Sequence, residues 1–131
     1  MVAVVGKGFL VGKPIIEWLK KEKQEPIIFD SKSDLKNLKK ADLVITGVGK
    51  AGLIKPNMLK AGAGVIDFGY SLCDEICNME HGTGAKKIHG DLDVSSSKLQ
   101  DLSFYTPTPG GTGPILVAEI FKNFYKLCHE L

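Results

Sequence analysis

Short apolar runs alternate with amphipathic stretches along the whole chain. Val2-Ala3-Val4-Val5, Pro26-Ile27-Ile28-Phe29, Asp42-Leu43-Val44-Ile45-Thr46 and Gly64-Val65-Ile66-Asp67-Phe68-Gly69 are near-continuous hydrophobic segments of strand length. Such runs lack the in-out alternation of a half-exposed strand and predict strands covered on both faces, as in parallel sheets. Between them, Pro14 to about Lys23 predicts a helix, with Ile15, Ile16, Trp18 and Leu19 apolar and Glu17, Lys20 and Lys21 polar. Ser33-Asp34 can cap a short helix through about Lys39. Pro56 to Lys60 and Ser95 to Leu99 suggest helical turns, and Ser103-Phe104-Tyr105 a last short strand. Ile115 to about Leu127 predicts a closing helix, with Leu116, Ile120 and Phe124 at four-residue spacing on one apolar face. From Tyr70 to Gly90 neither period holds, and the segment reads as a hairpin or a loose loop. The alternation of strand and helix predicts an α/β fold. It is a doubly wound, Rossmann-type, mostly parallel sheet with helices on both faces, in one domain over residues 1–131.

Composition narrows the function classes. Of 131 residues, 44% are hydrophobic and 24% charged, as in ordinary globular proteins. A formal charge of +2, scattered along the chain, gives no footprint for nucleic acid. No apolar run approaches the roughly 18 residues of a membrane span, and Met1-Val2-Ala3 lacks a signal peptide's basic start, so an intracellular, cytoplasmic protein is expected. All 17 basic residues are lysine. Without a guanidinium fork, phosphate recognition must rest on lysine, backbone N–H groups and hydroxyls. The lysines of the first helix read as a solvated face. Cys73, Cys77 and Cys128 are an odd set that argues against a disulfide framework. Cys73, Cys77 and His81 have four-residue spacing but no evident fourth ligand beyond distant His89, so no metal is expected.

The candidate chemistry begins where the first strand ends. Gly6, Gly8 and Gly12 form G-x-G-x-x-x-G, followed by Pro14 at a helix start. A strand, a glycine loop and a helix N-terminus together grip a dinucleotide pyrophosphate: the first glycine permits the turn, the second admits phosphate oxygens, and the third lets helix and strand pack. This pattern is one residue longer than the common fingerprint, and glycines also serve plain turns. Asp30 ends the second strand, where an acid accepts hydrogen bonds from adenosine ribose hydroxyls and repels a 2′-phosphate. That favours NAD over NADP, while Lys7, Ser31 and Lys32 remain able to surround a phosphate; a turn role for Asp30 is the alternative. Gly47-Val48-Gly49 follows the third strand, across the switch point where ligands of open sheets lie.

The segments VVGKGFLVGKP, DLVITGVGKAGLIKPNMLKAGAGVIDFG, HGDLDV and YTPTPGGTGP resemble the cofactor domain of methylenetetrahydrofolate dehydrogenase/methenyltetrahydrofolate cyclohydrolase. The resemblance runs from Val2 to about Leu127, and Pro107–Pro114 is its most specific piece. In that family an oxidised nicotinamide accepts hydride from 5,10-methylenetetrahydrofolate, and the methenyl product is hydrolysed to 10-formyltetrahydrofolate. The resemblance implies that Gly6, Lys7, Gly8, Leu10, Val11, Gly12, Asp30 and Ser31 hold the adenosine and phosphate end. Gly47, Val48, Gly49, Phe68 and Tyr70 would line the nicotinamide side, and Pro109, Gly110 and Gly111 would face the folate between domains.

The departures are specific. Where the family usually has Arg-Ser, this chain has Lys7-Gly8. It has Asp30 in place of a common His, Ser71 in place of Asn, Thr112 in place of Val, and Ile115-Leu116 in place of Met-Thr. The family's catalytic Tyr-x-x-x-Lys belongs to an N-terminal domain. Tyr70, Tyr105 and Tyr125 are followed four residues later by Asp74, Pro109 and His129, so the pair is missing here. The expectation is an NAD(P)-binding domain without the catalytic domain and inactive alone, the folate substrate engaging only with that domain. Alternatives are a stand-alone dinucleotide sensor, or a subunit completed by a separate catalytic partner. A surface at Pro109–Gly111 built to face another domain further predicts a homodimer or partner on that side.

Overall fold

The computed structural model describes residues 1–74 and 86–130. Its centre is a five-stranded parallel sheet built from β1 (Val2–Val5), β2 (Ile27–Phe29), β3 (Leu43–Thr46), β4 (Gly64–Asp67) and β7 (Phe104–Tyr105), in the order β2-β1-β3-β4-β7. Chain order turns back between β1 and β3, which makes their junction the switch point. The register is fixed by pairs such as Val4 with Ile28 on one side and Val4 with Ile45 on the other. The strands are flush with the apolar runs because a parallel strand covered on both faces has no polar side to show.

Alternate residues face opposite layers. Ala3 and Val5 join Val44, Val65, Phe29, Leu38, Ile54, Leu59 and Leu92 in the larger core cluster, beneath short 3₁₀ segments at Leu35–Lys40, Pro56–Met58 and Ser97–Asp101. Val4 points the other way and packs with Ile16 and Leu19 of helix α1 (Gly12–Lys21). Trp18, counted among the apolar positions of that helix, is 58% exposed. Asp34 caps its 3₁₀ segment by accepting from the Lys36 N–H at 3.0 Å. The irregular region contains the hairpin alternative: β5 (Ser71–Asp74) pairs antiparallel with β6 (Lys86–His89).

The last helix departs from expectation. α2 (Thr112–His129) starts three residues earlier than its apolar face suggests and buries no residue. Its large apolar side chains, Ile115, Leu116, Val117, Ile120, Phe121, Phe124, Tyr125 and Leu127, are 54–68% exposed. It extends the chain and does not close the sheet. β7 has only two residues, Phe104 and Tyr105, and both are exposed.

Candidate dinucleotide-binding site

The loops after β1, β2 and β3 meet at the carboxyl edge of the sheet. The Gly6 N–H donates to the Phe29 carbonyl at 2.8 Å, and the Gly47 N–H to the Val5 carbonyl at 3.3 Å. Gly6 has φ +95°, which a side chain tolerates poorly, and a Cβ there would stand 3.1 Å from Val48 Cγ2. A Cβ on Gly12 would collide with the Gly6 carbonyl, and one on Gly47 would come within 2.5 Å of Val11. The third glycine thus serves close packing, as its position in the pattern predicts. Gly8 has open space around its Cβ position, leaving the backbone free to approach a ligand.

α1 opens behind this loop at Val11, with no side chain capping it and no acid in its first turn. The positive end of the helix dipole therefore faces the loop, an arrangement suited to a phosphate, although the Lys13 N–H is given to the Gly8 carbonyl at 2.9 Å and Pro14 carries no N–H. This residue set fits a dinucleotide: glycine backbone, a helix N-terminus without a side-chain cap and one carboxylate at the end of the neighbouring strand. Leu10 sits at the loop tip, 86% exposed.

Asp30 is both a turn residue and an electrostatic partner. Its carboxylate accepts from Lys7 Nζ at 2.8 Å, from the Lys32 N–H at 3.0 Å and from the Ser33 hydroxyl at 3.0 Å. The Lys7 contact leads in lowering its pKa to about 2, with the Lys32 N–H and Ser33 hydroxyl adding to the effect. The hydroxyl that holds Asp30 is that of Ser33.

The loops after β3 and β4 are organised by two buried carboxylates, Asp91 and Asp67. Asp91 Oδ2 accepts from the Thr46 hydroxyl at 2.6 Å and the Val48 N–H at 2.7 Å, and Oδ1 accepts from the Lys50 N–H at 2.8 Å. Asp67 accepts from the Gly69 N–H at 2.7 Å and the Leu92 N–H at 2.9 Å. Burial pushes the Asp67 carboxyl up; the N–H donors of Leu92, Gly69 and Asp91 oppose this, and the Asp91 charge adds to the rise. Each aspartate lies against a glycine. A Cβ on Gly69 would collide with the Asp91 carboxylate, and a Cβ on Gly90 with that of Asp67.

The proline-glycine segment joins the same edge. The Thr106 hydroxyl accepts from the Asp67 N–H at 2.7 Å, and the Thr112 hydroxyl donates to the Asp67 carbonyl at 3.2 Å. The Thr108–Pro109 peptide is cis, Gly110 has φ +96°, and Gly111 packs too close to the Pro107 carbonyl for a side chain. Phe68 is tied to β3 by its N–H donating to the Thr46 carbonyl at 2.8 Å. Tyr70 is 59% exposed, its carbonyl 3.4 Å from a Cβ position at Gly49.

No local period marks Asp67, Asp91 or Thr46 as site residues, and Ser33 is expected only as a helix cap. The available signal was an acid beside a glycine in Gly90-Asp91 and in Asp67-Phe68-Gly69, where small residues leave room for a buried carboxylate. Cys77 and His81 lie outside the described residues. Among the described residues no group of three His, Cys, Asp or Glu is placed to hold a metal, and no helix is long and apolar enough to cross a membrane.

This geometry has counterparts in known proteins. The model of the tetrahydrofolate dehydrogenase/cyclohydrolase NAD(P)-binding domain matches residues 1–131. The bifunctional protein FolD 3 of Ectopseudomonas mendocina is 38% identical over 122 residues, which cover 92% of this chain and 37% of that protein. FolD of Paramagnetospirillum magneticum is 36% identical over 130 residues, covering 98% of this chain and 42% of that protein. Among solved structures, the FolD methylenetetrahydrofolate dehydrogenase/cyclohydrolase of Campylobacter jejuni superposes with TM-score 0.78 at 30% identity, over 95% of this chain and 41% of that one. The Trypanosoma brucei enzyme, solved with NADP and an inhibitor, gives 0.75 at 27% identity, over 93% of this chain and 41% of that one. The chain therefore spans about two fifths of the length of these relatives. Fold, loop geometry and similarity agree: the chain belongs to the family of tetrahydrofolate dehydrogenase/cyclohydrolase NAD(P)-binding domains.

Proposed function

We propose that these residues form the cofactor half of a 5,10-methylenetetrahydrofolate dehydrogenase/5,10-methenyltetrahydrofolate cyclohydrolase, binding a dinucleotide on the carboxyl edge of the sheet. The carrying observation is the meeting of the Gly6–Gly12 loop, the N-terminal end of α1 with no side-chain cap, and Asp30 at the end of the adjacent strand. In this reading Gly6, Lys7, Gly8, Leu10, Val11 and Gly12 hold the pyrophosphate, with Asp30 and Ser31 at the ribose. Gly47, Val48, Gly49, Phe68 and Tyr70 line the nicotinamide side, and Pro109, Gly110 and Gly111 face the folate. The bound oxidised nicotinamide supplies the hydride acceptor. The protein's part is to orient the dinucleotide and shape the cleft.

Asp30 supports NAD as the preferred cofactor of this chain. Its carboxylate, held ionised by Lys7, suits a ribose diol and opposes a 2′-phosphate. Turnover needs a proton-transfer group, and the 131 residues contain no Tyr-x-x-x-Lys, so this chain by itself is expected to bind without turning over. The exposed apolar face of α2, which begins directly after Pro109–Gly111, supports a second domain, a partner or a second copy on that side.

The test is calorimetric titration with NAD and NADP, with an assay of methylenetetrahydrofolate oxidation on the same sample. Binding with NAD preferred, no turnover, and a shift of preference toward NADP in Asp30→Ser are the expected results. Failure to bind either nucleotide rejects the cofactor role, and turnover rejects the need for the missing pair.

A further inference from the structure

The carboxylate of Asp91 is fully buried, yet it accepts from the Thr46 hydroxyl at the end of β3 and from the Val48 and Lys50 N–H groups of the loop that follows. A loop that spends its own N–H groups on one side chain takes its shape from that side chain. Asp91 is anchored in turn. Its carbonyl accepts from the Ile54 N–H at 2.8 Å, the Gly90 carbonyl accepts from the Gly52 N–H at 3.1 Å, and the Leu92 N–H is held by Asp67. The side chain reaches the β3 loop by passing beneath Gly69, where a Cβ would collide with it. One carboxylate thus sets the spacing of the loops after β3 and β4; its own hydrogen bonds do not reach the β1 or β2 loops, which meet the β3 loop through the packing of Val48 on Gly6 and of Gly47 on Val11.

We infer that Asp91 is the positioning residue of the nicotinamide half of the site. It fixes the Gly47–Gly49 backbone against which the ring would lie, while the adenosine and phosphate grip at Gly6–Gly12 and Asp30 receives none of its hydrogen bonds. The inference rests on the dinucleotide reading above and goes beyond it by assigning the two ends of the site to different carboxylates, Asp91 and Asp30. A neutral amide cannot replace the carboxylate: asparagine keeps one acceptor oxygen and turns an N–H2 group toward donors.

The experiment compares NAD with ADP-ribose, which lacks the nicotinamide ring, on the wild-type 131-residue chain and on Asp91→Asn. The wild type is expected to bind NAD more tightly than ADP-ribose. In Asp91→Asn, affinity for NAD is expected to fall about tenfold, while that for ADP-ribose stays within about twofold, with faster hydrogen exchange at the Val48 and Lys50 amides. Thr46→Val, which removes one donor and keeps the shape, is expected to show the same selectivity at about threefold and covers the case of a poorly folded Asp91→Asn. Equal loss of both ligands in Thr46→Val, or no loss of either in both variants, overturns the positioning role while the nucleotide site stands. A wild type that binds ADP-ribose but gains nothing from the ring also overturns it. A wild type that binds neither rejects the site itself and this role with it.

Discussion

The sheet core and helix α2 are both rich in apolar residues and end in opposite states. In the core, Val4, Val5, Val44, Ile54, Val65 and Leu92 are all but fully buried, and even polar Thr46, Asp67 and Asp91 are enclosed with hydrogen-bond partners. In α2, eight large apolar residues are more than half exposed and none is buried. The contrast shows that hydrophobic content alone does not make a core; a complementary surface must be within reach. The strands find theirs in each other and in the segments that cross over them. α2 meets no such surface among the described residues, and its contacts are local, such as Tyr125 with His129 at 4.2 Å between ring centroids and the Lys122–Glu119 ion pair.

Truncation should separate the two regions most sharply. Ile54→Ala removes a fully buried side chain and should cost about 3–4 kcal/mol in urea unfolding. Phe124→Ala on α2 should stay within about 0.5 kcal/mol; a larger cost would mean that α2 is packed in solution.

Asp67→Ala should come next, at about 3 kcal/mol, because the Gly69 and Leu92 N–H groups lose their acceptor. The sign of its pH effect is distinctive. With a folded pKa above the ordinary value, Asp67 favours the folded state more in acid, and that contribution fades as pH rises from about 3.8 through its raised folded value. Asp67→Asn should remove this slope from a pH series of unfolding midpoints.

A local change tests the sheet's covering layer. Asp34→Ala deletes the cap on the segment that seats buried Leu38, and should cost about 1 kcal/mol, read as a fall in the urea midpoint.

Surface carboxylates should have a smaller effect of opposite sign to Asp67. Asp30, held by Lys7, and Asp42, held by Lys60 and the N-terminal ammonium, each have a pKa lowered to about 2. Their stabilisation is present above about 3.8 and lost as pH falls through about 2. A double Asp30→Asn, Asp42→Asn variant should show a flatter acid limb in the same unfolding series; an unchanged limb would show the pairs to be inert.

Much of the fold was legible because strand burial writes itself into composition. Val2–Val5, Leu43–Thr46 and Gly64–Asp67 are recognisable as parallel strands since both their faces need apolar residues. The glycine loop was legible for a related reason: Gly6 needs a positive φ and Gly12 has no room for a Cβ, and one residue type meets both demands. Asp30 was visible at its strand end, but its Lys7 partner 23 positions away along the chain was not. The Asp91 clamp was hidden for the same reason. Its donors lie 41 to 45 residues away, and no local period marks a carboxylate that serves a distant loop.

The sequence by itself determined the alternation of strands and helices, the glycine turn, the position of Asp30 and the resemblance to the folate dehydrogenase/cyclohydrolase cofactor domain, because each is written in residues near one another. Only the tertiary structure decided that Ser33 and Lys7 hold Asp30, that Asp67 and Asp91 brace the loops of the other half, and that α2 leaves the sheet uncovered. Those outcomes depend on which surfaces and donors meet across the fold, and a one-dimensional pattern carries no distances.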